Sequence, residues 1–206
     1  MIRIICAAVA AALALAGPAA AGELFAGAYA HDVSFLGALV GSGSADREKG
    51  ADIEVGLRSG RIEALSLIGA PQAHAFVSIN TNNTSDFVAT GLSWPVPVGG
   101  RFYVRPGIGL AYTDGKVNLP PVNAPALAPA EIQRRLNLYL TRIDFGSRFL
   151  FEPELAIGVK LTPRLKTELS WVHISNGEIF HQGKNQGLDD AGVRLVYAFG
   201  AGAGSN

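Results

Sequence analysis

A chain of 206 residues has the length of one domain; 49% of it is hydrophobic, 17% is charged, and the formal net charge is zero. That balance excludes the basic stripe that a nucleic-acid binder needs, so no nucleic acid is expected as a partner. The single cysteine, Cys6, lies at the extreme N-terminus, which excludes disulfides, a cysteine nucleophile and thiolate metal sites from the rest of the chain.

The N-terminus reads as a secretory signal peptide. Arg3 gives a basic start, 4–16 an apolar segment, and Ala19-Ala20-Ala21 a small-residue cleavage site before Gly22. The expected organisation is a cleaved signal at 1–21 and one domain at 22–206. After the signal no run of 18 apolar residues follows, which excludes a transmembrane helix. An exported chain this apolar is then either a compact soluble protein or a membrane β-barrel.

The order of the segments decides between them. Residues 24–32 give a first strand rich in Ala and Gly, and 41–50 a polar loop. Next, Ile53, Val55 and Leu57 alternate with Asp52, Glu54, Gly56 and Arg58. Such a charged row is too costly for an ordinary apolar core, but it suits a wet or ion-paired barrel lumen. A third strand is expected at 73–81, a turn at 82–85 and a fourth strand at 86–94, ended by Pro95 and Pro97. Gly99-Gly100 turns into a fifth at 101–112, where Pro106 calls for a bulge or a missing ladder bond. Residues 113–141 are irregular and proline-rich, with helical turns expected at 130–136 after Pro129. One long strand, or two short ones, spans 143–161 with a disturbance at Pro153, and the last two strands follow Thr162-Pro163 and Leu188. The count is eight, with short turns alternating with longer loops. The fold class is all-β, an eight-stranded antiparallel transmembrane β-barrel. Arg58, Arg101, Arg105, Lys166, Glu168 and Arg194 should face its lumen.

The chemistry sits at the end of the seventh strand. Alternation places Leu165, Thr167, Leu169, Trp171, His173 and Ser175 on one face, apolar until its last two members. Those two are a base and a nucleophile, with Cα atoms about 6.6 Å apart. A serine hydroxyl is a weak nucleophile and needs such a base, and the base needs an acid to orient it. In the last strand parity sends Asp189 to the same outward face and Asp190 into the lumen, toward Arg194. A polar pair that ends a lipid-facing row can equally mark the water interface beside Trp171. His31, Asp32 and Ser34 read as a loop-edge cluster, and His74 has no evident partner. His173 and His181 lack the carboxylate spacing of a metal site, so no metal is expected.

The segments His173-x-Ser175-Asn176, Asn185-x-Gly187-x-Asp189 and Gly192-Val193-Arg194-Leu195-x-Tyr197-x-Phe199 resemble the lipid A 3-O-deacylase (PagL-type) family. Weaker similarity extends to Tyr29-Ala30-His31-Asp32, Ala51-Asp52-Ile53-Glu54 and Gly91-Leu92-Ser93-Trp94. The resemblance implies an eight-stranded barrel in the Gram-negative outer membrane that removes the ester-linked acyl chain at the 3 position of lipid A. It implies Ser175 as nucleophile and His173 as base, with Asp189 standing where the family usually has glutamate. No cofactor is needed, and lipid A or lipopolysaccharide is the substrate. Asn176, Gly177 and Asn185 are candidate oxyanion-hole or substrate contacts by proximity. A homodimer is compatible with this reading, since the sequence carries no signal for oligomeric state. The alternatives are a structural or channel barrel without activity, and a lipid acyltransferase that uses the same triad.

Overall fold

The computed structural model describes residues 21–34 and 46–200. The signal peptide expected at 1–21 thus lies almost wholly outside the described residues, as does the first half of the 41–50 loop. Among the described residues there are nine strands: β1 (Gly22–Ala30), β2 (Ala51–Arg61), β3 (Gln72–Asn80), β4 (Phe87–Ser93), β5 (Val96–Gly99), β6 (Phe102–Thr113), β7 (Phe149–Lys160), β8 (Leu165–Ile174) and β9 (Leu188–Phe199). A helix, α1 (Pro129–Thr141), precedes β7.

All pairings are antiparallel. The sheet closes because β1 pairs with both β2 and β9, while β4 pairs with β6. β5 also lies on β6 and keeps the register of β4, since Ser93 faces Gly107 and Val96 faces Val104. β4 and β5 are therefore two halves of one stave, and the barrel has eight. Closure leaves no sheet edge, which is what spanning a bilayer with strands requires. The connections after β2, β5 and β7 lie at one end, with both ends of the described chain. The longer loops lie at the other, the extracellular end of such barrels.

Pro106 produces no bulge. It faces Leu155 on one side and, on the other, the break between β4 and β5, where Trp94 N–H donates to its carbonyl at 2.9 Å. The missing proline donor is absorbed where the ladder is already interrupted, so register survives. Residues 143–148 are not part of β7, which begins at Phe149. Ile143 and Phe145 are instead fully buried as part of an apolar plug with Phe76, Phe87, Leu150, Ile174 and Leu188. The helix, expected at 130–136, runs through Thr141.

Below that plug the lumen is ion-paired and filled. Arg194 reaches Glu168 at 2.6 Å, Glu154 at 2.9 Å and Glu54 at 3.2 Å. Arg58 and Arg105 share Glu23 and Glu168, Tyr103 donates to Glu168, and Lys166 closes on Glu23 at 2.5 Å. Burying these charges is tolerable only because each has opposite charges and hydrogen bonds around it. Small residues make room for them. At Gly192 an added Cβ would lie 2.2 Å from the Ala28 carbonyl and 2.5 Å from the Tyr29 ring. Arg101 is the exception to the lumen expectation: it follows the Gly99-Gly100 turn and is exposed, because the strand begins one residue later. His74 does have partners, lying 3.0 Å from Glu152 and 3.7 Å from Glu154.

Outside, Ile53, Val55, Ile108, Leu110, Leu155, Ile157, Leu169, Val193 and Leu195 form an exposed apolar belt. In water such a surface would aggregate; facing acyl chains it is the stable arrangement.

Candidate active site

The β8–β9 ladder builds the site. Its register sets His173 opposite Asp189 and Trp171 opposite Ala191. Antiparallel partners project to the same face, so the parity expected for Asp189 is what the ladder delivers. His173 Nδ1 lies 2.9 Å from Asp189 Oδ1. Asp189 is fully buried, although its strand neighbours Val193 and Leu195 on the same face are exposed. Trp171 Nε1 donates to the same Oδ1 at 2.8 Å. Nothing in the sequence reading anticipated that bond. The signal was there, since Trp171 is the diagonal neighbour of Asp189 and Ala191 is too small to separate them.

Ser175 is half-buried just past the end of β8. It exchanges two backbone hydrogen bonds with Phe151, at 2.7 and 3.2 Å, so its Cα is fixed by β7 as well. Between that bridge and the Glu154–Val172 pair stands Pro153, opposite His173. Proline has no N–H to give, so the ladder is relaxed on this side of His173. Among the described residues no hydrogen bond joins the Ser175 hydroxyl to the His173 ring. Catalytic hydrogen bonds commonly close only around substrate.

The loop after Ser175 is tightly braced. Gly177 takes φ +60° and makes the turn. Asn176 is fully buried, and its amide donates to the Phe145 carbonyl at 2.6 Å and to the Lys184 carbonyl. Its oxygen accepts Glu178 N–H at 2.6 Å. Gly177 N–H donates to Asn185 Oδ1 at 3.0 Å, which orients that amide and leaves its NH2 end pointing elsewhere. Of the three oxyanion candidates, Asn176 and Gly177 therefore spend these donors on the loop itself. His181 is exposed on the same loop.

A second cluster caps the lumen beside the site. Asp190 does not pair with Arg194, which three glutamates already surround. It lies 3.3 Å from His31 Nδ1, which also meets Asp52 at 3.0 Å, while His31 Nε2 meets Glu48 at 3.3 Å. His31 thus sits at the loop edge just after β1, as expected, but buried in an ion cluster. Burial works against its charge, but its hydrogen bonds to Asp190, Asp52 and Glu48 push its pKa up to about 12. His31, Asp52 and Asp190 bring ligand atoms within 4.8 Å of one another. A metal would need the imidazole neutral, whereas here both ring nitrogens face carboxylates. The cluster holds His31 among three carboxylates.

A closed eight-stranded barrel with an apolar belt, a filled lumen and a histidine–carboxylate pair on its outer wall belongs to the class of outer-membrane barrel proteins. A sequence profile of the lipid A 3-O-deacylase (PagL) family matches residues 69–198, and the chain belongs to that family. The family acts on lipid A in the Gram-negative outer membrane, and that is where this barrel resides. The crystal structure of the outer membrane enzyme PagL superposes with a TM-score of 0.51 at 13% identity, covering 85% of this chain and 98% of that one. The N-terminal β-barrel domain of Pseudomonas aeruginosa OprF gives a TM-score of 0.48 at 7% identity, over 86% and 97%. Neisserial surface protein A gives 0.48 at 11% identity, over 87% and 97%. At 13% identity the likeness to the PagL crystal structure speaks for the fold. No curated protein sequence matches the chain.

Proposed function

We propose that the mature barrel, freed of residues 1–21, is an esterase that hydrolyses the 3-O-linked acyl chain of lipid A. One observation carries the reading. A histidine bound to a buried carboxylate shares the lipid-facing row with a serine two residues on, at the extracellular end of the wall. A substrate whose acyl chains lie in the outer leaflet meets that row directly.

Ser175 Oγ attacks the ester carbonyl carbon while its proton passes to His173. The tetrahedral intermediate collapses, the C–O bond to the sugar breaks, and His173 returns the proton to the leaving hydroxyl. Water, deprotonated by His173, then attacks the acyl-serine and releases the fatty acid. Asp189 holds the imidazole through Nδ1 and stabilises its charged form. The Asn185 amide NH2 is the donor left over for the developing oxyanion, a contribution of about 10²–10³-fold in such sites. This chemistry calls for no cofactor. The filled lumen favours it over the channel alternative, because Arg58, Arg105 and Arg194 occupy the space that a pore would need.

The test is mass spectrometry of lipid A from outer membranes carrying the protein or its Ser175→Ala variant. Wild type should release a 3-hydroxy fatty acid and the variant should not, while both barrels fold and insert. Unchanged lipid A in both would overturn the function, and equal deacylation in both would overturn the nucleophile.

A further inference from the structure

We infer that Trp171 is a positioning residue that fixes the Asp189 carboxylate for His173. This rests on the reading of His173, Ser175 and Asp189 just given. In register, Trp171 faces Ala191, whose methyl group leaves the indole free to lean along the strand instead of across the ladder. It leans toward its diagonal neighbour. Nε1 lies 2.8 Å from Asp189 Oδ1, the same oxygen that His173 Nδ1 approaches at 2.9 Å. The two rings sit side by side, with centroids 6.1 Å apart and planes 31° from parallel.

An aspartate carboxylate turns easily about its last torsion, which has broad minima. Two donors converging on one oxygen pin that rotation, and with it the oxygen on which the imidazole is aligned. The indole N–H suits the task chemically. It donates only and does not titrate, so it never competes with histidine for a proton. It also gives a fully buried carboxylate a hydrogen-bond partner. A tryptophan that merely marks the membrane interface would offer its N–H to water or headgroups. Here the N–H is turned inward, onto a buried acid.

The experiment combines kinetics with spectroscopy on the folded, detergent-solubilised barrel. Trp171→Phe removes the N–H, and Trp171→β-(3-benzothienyl)alanine does so without changing the shape of the side chain. Hydrogen bonds to charged groups set the scale, and each variant should lower kcat about tenfold or more with KM nearly unchanged. In an Asp189→Asn background the same replacements should cost almost nothing, because the residue acts through the acid. The Nδ1–H proton resonance of His173, in protein labelled with nitrogen-15 histidine, should move in the isosteric variant. That resonance reads the Trp171–Asp189–His173 contact whether or not the barrel deacylates lipid A, which separates failure here from failure of the proposed function. An unmoved resonance with unchanged kcat overturns the inference. So does a loss of equal size in both backgrounds, which would make Trp171 a packing residue.

Discussion

His173 and Asp189 are directly opposed residues of neighbouring strands, and their side chains meet at 2.9 Å without any loop to bring them together. The pair is therefore as rigid as the ladder that carries it. The serine is held instead by its bridge to Phe151 just past the strand end. Rigid placement of the proposed base and acid beside the proposed nucleophile suits a substrate that arrives laterally from the leaflet.

That ladder separates two adjacent aspartates. Asp189→Asn should lower deacylation tenfold or more, below the roughly 10⁴ of the serine-protease example because this site lies on a barrel wall. Asp190→Asn should leave the rate nearly intact and loosen the rim, since Asp190 serves His31 from inside the barrel. Rates measured on vesicles containing lipid A, beside melting curves, separate the two. A loss at Asp190 alone would contradict the parity of β9.

The alternation of Asp52, Glu54 and Arg58 with Ile53, Val55 and Leu57 was enough to read a barrel, because a closed sheet has one wet and one lipid face. It could not say which lumen charges meet. Asp190 was assigned to Arg194, four residues along its own strand, but partners inside a barrel cross the lumen. Arg194 and Glu54 are 140 residues apart in sequence, and His31 and Asp190 are brought together by closure of β1 on β9. The outward pairing of His173 with Asp189 was legible for the opposite reason. The two lie on consecutive strands, where period and a hairpin fix proximity. Trp171 escaped notice because its outward side chain matched the interfacial role expected of any tryptophan.

The lumen charges give a stability prediction. Arg194→Met would strip Glu54, Glu154 and Glu168 of their common partner. Breaking one side of a buried ion network costs about 3–5 kcal/mol. The midpoint of urea unfolding in vesicles should fall accordingly, and restoring charge balance with Glu154→Gln should recover part of the loss. An unchanged midpoint would mean that water penetrates the network.

The rim should respond to pH through His31 and Glu48. His31 has its pKa raised from 6.5 to about 12, so its contribution is complete below the unfolded value and is lost only as pH rises through about 12. Burial alone would raise Glu48, but bonds from His31, Ile143 and Arg142 hold it below the usual carboxylate range. A depressed acid contributes above its unfolded pKa, and the contribution is lost as pH falls through the folded one. Protection of the Ile143 and Glu48 amides, corrected for intrinsic exchange, should be flat from about pH 6 to 9 and fall below about pH 4.5. Loss of protection on the alkaline side first would reverse the assignment.

Asn176 and Asn185 flank the same loop and should fail in different ways. Asn176 is a bracket: buried, it donates to the carbonyls of Phe145 and Lys184 and accepts from Glu178, joining the loop after Ser175 to the segment before β7. Asn176→Ala leaves those backbone groups unpaired, at about 1–3 kcal/mol for each one that stays buried. The loop should loosen, with proteolytic nicking near Gly183 and a lower yield of active barrel. Asn185 instead accepts Gly177 N–H through its oxygen, and its NH2 is the proposed oxyanion donor. Asn185→Ala should fold normally and bind lipid A with similar KM, yet lose about 10²–10³-fold in kcat if its amide stabilises the oxyanion. Asn185→Asp is the sharper variant, since it keeps the bond from Gly177 while replacing the donor by a negative charge. It should be at least as slow as Asn185→Ala. Should Asn185→Asp retain wild-type turnover, the oxyanion donor lies elsewhere on the loop.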